Sequence, residues 1–240
     1  MRDKLGLVIP TLNEEGNIGT VIDRARLNLD MLDLDYELLV VDDNSSDATR
    51  LVVQRYQGSD PRIRLLVRTE ARGLSGAVIH GWQHTDANFL GVMDADLQHP
   101  PELLASLLAA ILNGTDIAIA SRYLSADGTF GWNPIRRAVS VLSTWMTVPL
   151  QKRGIRVRDP MSGFFVLRRH CIEGLQLQPK GFKLLLEILV RGSIHSVAEI
   201  PYHFGLRNAG SSKASWRVGL SYLLLLGRLS RDTLLKPGPS

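Results

Sequence analysis

Along the first half of the chain, short apolar runs alternate with segments whose apolar positions recur every three or four residues. The runs LGLVIP (5–10), YELLVVDD (36–43), IRLLVR (63–68), NFLGVMDAD (88–96) and DIAIASRY (116–123) are predicted strands. Their continuous apolar character predicts burial on both faces, as in a parallel sheet. Between them, NIGTVIDRARLNL (17–29), DATRLVVQRYQ (47–57), GLSGAVIHGWQH (73–84) and PPELLASLLAAILNG (100–114) are predicted helices. In the last of these, Leu103, Leu104, Leu107, Leu108, Ile111 and Leu112 are expected on one face, with proline at the start and glycine at the end. Such alternation predicts an α/β sheet with right-handed crossovers.

The pattern changes after residue 124. SADGTFGWNP (125–134) is turn-rich, and IRRAVSVLSTWMTVPLQ (135–151) reads as an amphipathic helix with a basic start. SGFFVLRR (162–169) and SVAEIPYHFGLR (196–207) read as strands, with KGFKLLLEILVRG (180–192) as a helix between them. A Gly/Ser-rich loop, NAGSSKAS (208–215), precedes a final helix over about 216–229. No linker or repeat separates the halves. The expectation is one domain, 1–240, in three parts: 1–125, 126–215 with its loop, and a C-terminal helix and tail (216–240).

Composition narrows the classes. The 240 residues are 45% hydrophobic and 22% charged, the balance of a globular protein with a real core. A net charge of +4 is compatible with an ordinary solvated surface, a polyanionic substrate or an anionic membrane surface. Nucleic acid is not expected, because there is no basic block, no binding motif and only 6% aromatic residues. The single cysteine, Cys171, permits no internal disulfide, fits a reducing compartment and is expected to be structural. The opening residues enter a strand at once, which leaves no room for a signal peptide on this reading. No segment reaches the roughly 18–20 apolar residues of a membrane span.

Chemistry concentrates where the predicted strands end. In an open parallel sheet, ligands bind at the carboxyl ends of the strands. PTLNEE, VDDNSSD, DADLQHP and SRY fall there and bring Asp42, Asp43, Asp94, Asp96 and Arg122 to one rim. Ser45, Ser46 and Asp47 are expected to include a helix cap. Asp94 and Asp96, placed at i and i+2 of a strand, face the same side and repel. A hard divalent cation, Mg²⁺ or Mn²⁺, bridging them to a phosphate would resolve the repulsion. The other reading is a helix cap ahead of PPELL, with Asp96 favoured by the helix dipole. Neither G-x-G-x-x-G nor G-x-x-x-x-G-K-[ST] is present, so a Rossmann dehydrogenase and a P-loop NTPase are disfavoured. The six histidines are scattered and carry no H-E-x-x-H pair.

The segments PTLNEEGNI, VVDDNSSDAT, RGLSGAVIHGW, MDADLQHPPE, IASRY, DPMSGFFVLRR, GFKLLLEIL and FGLRNAGSSK occur in this order. Together they closely resemble the polyprenol-phosphate (dolichol-phosphate) mannosyltransferases, inverting family 2 glycosyltransferases of GT-A fold. The resemblance runs from about residue 5 to 213. It implies a mostly parallel, Rossmann-like sheet flanked by helices, with a C-terminal amphipathic helix. It implies transfer of mannose from GDP-mannose to a polyprenyl or dolichyl phosphate with Mg²⁺ or Mn²⁺ as cofactor. Pro10, Glu14, Val41 and Asp43 would hold the nucleotide, Asp43 near the base or ribose. Asp94 and Asp96 would hold the metal with Gln98 close by, and Ala95 would offer a backbone contact. Arg122, Arg136 and Arg137 would face phosphate groups, and Arg207 and Lys213, in a mobile loop, would close over the diphosphate. Leu12 departs from the family's usual tyrosine, which leaves only its backbone to touch the donor. The rivals are a UDP-glucose-dependent glucosyltransferase and a non-catalytic lipid- or nucleotide-binding scaffold.

A polyprenyl phosphate resides in a bilayer, so the enzyme is expected on the cytoplasmic face of a membrane. The helix around Trp216, with Leu220, Leu223, Leu224 and Leu226 flanked by Arg217, Arg228 and Arg231, could lie in the interface, as could the helix over 135–151. Either could equally pack on the sheet. Some family members carry transmembrane helices after the catalytic domain. With none in this sequence, the expectation is direct docking or a membrane anchor subunit.

Overall fold

The computed structural model describes residues 3–70, 73–124, 144–151, 155–178, 183–202 and 227. Strands β1 (Lys4–Thr11), β2 (Asp35–Asp42), β3 (Ile63–Val67), β4 (Phe89–Val92), β5 (Ile117–Ser121), β6 (Phe165–Arg168) and β7 (Val197–Pro201) form one sheet, in the order β3-β2-β1-β4-β6-β5-β7. Helices α1 (Ile18–Leu29), α2 (Thr49–Ser59), α3 (Leu74–Gln83), α4 (Leu103–Leu112) and α5 (Leu184–Arg191) cover it. Side chains alternate between two cores. Leu5, Leu7, Ile9, Leu38 and Val40 pack with α1 and α4, whereas Val8, Leu39 and Val41 pack with α3 and α5. Both faces of the central strands are therefore dry, which is why they read as unbroken apolar runs. Helix α3 lies very close to β1: a Cβ built on Gly81 would sit 2.5 Å from Val8 Cγ2. Among the described residues, no helix is long and apolar enough to cross a membrane.

Several expectations change. β6 enters the sheet between β4 and β5 and is antiparallel to both. β5 leaves the sheet at the carboxyl rim and β6 re-enters there (Ile119 opposite Phe165), so no crossover intervenes and the direction must reverse. The fourth strand stops at Val92 and does not reach Asp96. Its partner β6 begins opposite that residue, and the chain then turns through Leu97 at φ 60°. Asp94 and Asp96 thus leave the strand, and same-face alternation does not describe them. On α4, Leu104, Leu107, Leu108 and Ile111 are buried, but Leu112 is 49% exposed. The fifteen-residue pattern around it overstates the apolar stripe by its last residue. Of the helix expected over 135–151, the described part ends in a 3₁₀ turn at Val148–Leu150. The last expected strand is observed as Val197–Pro201, and the helix expected over 216–229 lies outside the described residues.

Candidate active site

The carboxyl ends of β1, β2, β4 and β5 and the amino end of antiparallel β6 share one rim. The loops after β1 and β2 are laced together. Asn13 N–H donates to Ser45 Oγ (2.9 Å), and Asn13 Oδ1 accepts Ser46 N–H (2.8 Å). Glu14 N–H donates to Thr49 Oγ1, and Asp47 Oδ1 accepts the N–H of Thr49 at the start of α2; the N-cap position itself is Ala48, without a side-chain cap, and not one of the three residues expected there. Among the described residues, the non-glycine residues at positive φ are Asn13, Asn44 and Leu97, each in a rim loop after β1, β2 or β4. Asparagine tolerates a left-handed backbone, whereas Leu97 has no polar side chain to support it and holds it at a cost of about 1–2 kcal/mol.

The rim beyond β1 and β2 is framed by buried carboxylates. Asp43 Oδ1 accepts Arg68 Nη1 and Oδ2 accepts the backbone N–H of Gly73, both at 2.7 Å. Asp43 therefore organises the floor of the rim and places Gly73 at φ 144°, ahead of α3. Asp42 is fully buried. Its Oδ1 accepts Ser45 N–H, while Oδ2 has no hydrogen-bond partner among the described residues. Pro10 and Val41 are buried and paired across β1 and β2, so they can offer a donor only backbone and walls. Leu12 and Glu14 are half-buried, and Glu14 Oε2 accepts Asn17 Nδ2 (2.8 Å).

Asp94 and Asp96 lie in the turn beyond β4 with buried Ala95 between them. Asp96 is nearly buried, and its Oδ1 accepts the backbone N–H of Gln98 (3.1 Å). Across from them, a Cβ on Gly163 would fall 2.8 Å from Asp94 Oδ2, so glycine is needed for the carboxylate to occupy its place. Hard oxygen donors held in a cradle that excludes even a methyl group fit Mg²⁺ or Mn²⁺. His99 Nδ1 sits 3.4 Å from Asp94 Oδ2, between the rings of Phe164 and Tyr202. Burial pushes its pKa down to about 4 despite the opposing charge of Asp96, so at neutral pH this contact is dipolar rather than ionic.

Arg122 lies beside this turn. Its Nε and Nη2 donate to the two oxygens of fully buried Asp159 (2.7 Å each), and its backbone N–H also reaches Oδ2 (3.1 Å). Burial disfavours the charge, but Asp159 more than compensates and the guanidinium pKa is raised. The Nε and Nη2 edge of Arg122 faces Asp159, because a buried guanidinium requires a paired anion. Glu199 on β7 in turn accepts the N–H groups of Arg158 (2.9 Å) and Asp159 (3.1 Å), fixing the loop that carries the pair.

Sequence reasoning missed Arg68, His99, Asp159, Gly163, Lys183 and Glu199. Lys183, at the start of α5, feels the charges of Arg122, Asp159 and Asp94; burial holds its pKa below the ordinary lysine range. For Asp159, Gly163 and Lys183 the available signal is the motifs DPMSGFF and GFKLLL. Their meeting with β4 and β5 depends on the inserted antiparallel strand. Beside Arg122, a cleft of about 630 Å³ is lined by Tyr123, Trp145, Val148, Arg156 and Arg158, among others. Arg136, Arg137, Arg207 and Lys213 lie outside the described residues.

Residues 7–175 match the sequence profile of Glycosyl transferase family 2. The chain is 40% identical over 230 residues to a dolichol-phosphate mannosyltransferase of Pyrococcus furiosus, covering 95% of this chain and 64% of that protein. It is 33% identical over 240 residues to the dolichol-phosphate mannosyltransferase of Saccharomyces cerevisiae, covering 95% of this chain and 88% of that one. Among solved structures, it resembles glucosyl-3-phosphoglycerate synthase from Mycobacterium tuberculosis in complex with Mn²⁺, UDP and glucosyl-3-phosphoglycerate. There the TM-score is 0.67 at 20% identity, over 95% of this chain and 80% of that one. The Mg²⁺ and UDP complex of the same synthase gives a TM-score of 0.64 at 20% identity, with the same coverage.

Proposed function

Because the chain belongs to family 2 of the glycosyl transferases, with its GT-A sheet, we propose that it transfers mannose from GDP-mannose to a dolichyl or polyprenyl phosphate with inversion. The observation that carries this reading is the meeting at one rim of the Asp94–Asp96 turn with the cations Arg122 and Lys183. Carboxylates for a metal beside fixed positive charge suit a reaction in which both the leaving group and the nucleophile carry phosphate.

In the proposed reaction, an oxygen of the acceptor phosphate attacks the anomeric carbon while the bond to the diphosphate oxygen breaks. The electron pair leaves with GDP. Mg²⁺ or Mn²⁺ held by Asp94 and Asp96, with Gln98 close by, would offset the charge growing on that diphosphate. A phosphate monoester has a second pKa of about 6, so it is largely dianionic at neutral pH and needs no general base. Neutral, buried His99 is consistent with that economy. Arg122, held rigid by Asp159, and Lys183 would position the acceptor. Arg136 and Arg137 would join them on the acceptor side, and Arg207 and Lys213 on the donor diphosphate. Asp43 and Arg68 would border the nucleoside.

The same reading places the enzyme on the cytoplasmic surface of a membrane, docked directly or through an anchor subunit. The cleft beside Arg122 supports it, since Trp145 (74% exposed) and Val148 sit with Arg156 and Arg158 there, an arrangement suited to a lipid phosphate. An assay with purified protein, Mg²⁺ or Mn²⁺, a short polyprenyl phosphate, and GDP-mannose beside UDP-glucose tests the proposal. Mannosyl lipid from GDP-mannose is expected. Turnover of UDP-glucose alone would overturn the donor, and no transfer from either would overturn the enzyme reading.

A further inference from the structure

At the opposite edge of the sheet, Asp116 precedes β5, His170 and Cys171 follow β6, and His195 precedes β7. A carboxylate oxygen of Asp116, a ring nitrogen of His170 and the Cys171 sulfur all lie within 4.8 Å of one another. His170 Nε2 is 3.4 Å from Asp116 Oδ1 and 3.8 Å from Cys171 Sγ. Bond lengths of about 2.0–2.3 Å around a tetrahedral zinc ion put oxygen and nitrogen ligands about 3.3 Å apart, and nitrogen and sulfur about 3.6 Å apart. The observed separations match both within a few tenths of an ångström. His195 Nδ1, on an exposed ring, lies 3.6 Å from the other carboxylate oxygen, Asp116 Oδ2, and stands outside this three-residue cluster. The frame is rigid. Asp116 Oδ2 accepts the N–H groups of His195 (2.7 Å) and Ser196 (3.2 Å), Ser196 Oγ accepts Asp116 N–H, and Ser193 N–H donates to Cys171 O. Such supporting bonds orient ligands before any ion arrives.

We propose that Asp116, His170 and Cys171 form a second metal site for a borderline-soft divalent ion of the Zn²⁺ class, its fourth position open to water. It differs in chemistry from the hard-oxygen site at Asp94 and Asp96 and lies a full strand length from it. Binding exchanges the Cys171 S–H bond for a metal–sulfur bond, with the proton released to solvent. An ion there ties the start of β5 to the end of β6. The test is titration of metal-stripped full-length protein with Co²⁺, followed by displacement with Zn²⁺. Since Cys171 is the only cysteine, a near-ultraviolet thiolate-to-cobalt band reports this site alone. The band is expected in the wild type and in Asp96→Ala, and is expected to be lost in Cys171→Ser. His170→Ala, at a half-exposed side chain that should not impair folding, is expected to weaken Co²⁺ binding about tenfold or more. Zn²⁺ is expected to raise the unfolding temperature of the wild type more than that of His170→Ala. No band in the wild type, or wild-type affinity in His170→Ala, would overturn the site whether or not the enzyme transfers mannose.

Discussion

Asp96 tests the metal assignment most sharply, because the helix that follows begins at Leu103 with Glu102 at its N-cap, which removes the cap reading of Asp96. Asp96→Ala is expected to lose several kcal/mol of transition-state stabilisation, about 100-fold or more in kcat/KM, with an unchanged circular dichroism spectrum. A variant within a few-fold of wild type would make Asp96 a turn residue holding Gln98 N–H and nothing more. Asp159 separates structure from chemistry in another way. It is fully buried against Arg122, so Asp159→Asn leaves a buried guanidinium without its counter-charge and is expected to cost about 3–5 kcal/mol in urea unfolding. Asp96 announced itself in the sequence as half of a pair of like charges after an apolar run. Asp159 did not, since its partner is 37 residues away and the pairing depends on how the chain returns to the rim.

Among the elements, α3 makes a prediction whose sign opposes intuition. Replacing a helical glycine by alanine ordinarily stabilises by about 1 kcal/mol. At Gly81 the new methyl would meet Val8 Cγ2 at 2.5 Å and Val41 Cγ2 at 3.1 Å, and both neighbours are stiff β-branched residues. Gly81→Ala is therefore expected to destabilise by a net 1–2 kcal/mol or so, read as a lower urea midpoint. A higher midpoint would mean that α3 can lift from β1 without loss. The helical period of GLSGAVIHGWQH was legible, but the close approach was not, because it is set by the strands beneath. The end of β4 shows the same division. Its apolar residues announced a strand, whereas the end at Val92 follows from the point at which β6 begins.

For the molecule as a whole, the expected behaviour is that of a metal-dependent enzyme at a lipid surface. Chelation with EDTA should abolish sugar transfer, and Mg²⁺ or Mn²⁺ should restore it; full activity in chelator would remove the metal from the proposal. Binding to vesicles containing anionic lipid should fall at high salt, because the surface carries net positive charge. It should also fall in Trp145→Ser, measured by flotation. Equal flotation of that variant would direct attention away from the cleft beside Arg122.

Hydrophobic period and turn chemistry are local, so the sequence by itself determined the alternation of strands and helices, the α/β class and the polar clusters that follow the strands. The resemblance carried by DADLQHP, SGFF and RNAGSSK narrowed that rim to a reaction. What the tertiary structure decided is which distant residues complete each local feature. β6 slips antiparallel between β4 and β5, Gly163 makes room for Asp94, and Asp159 takes the fork of Arg122. These are pairings across tens of residues, selected by burial and charge compensation in the assembled sheet. No window of sequence contains both partners.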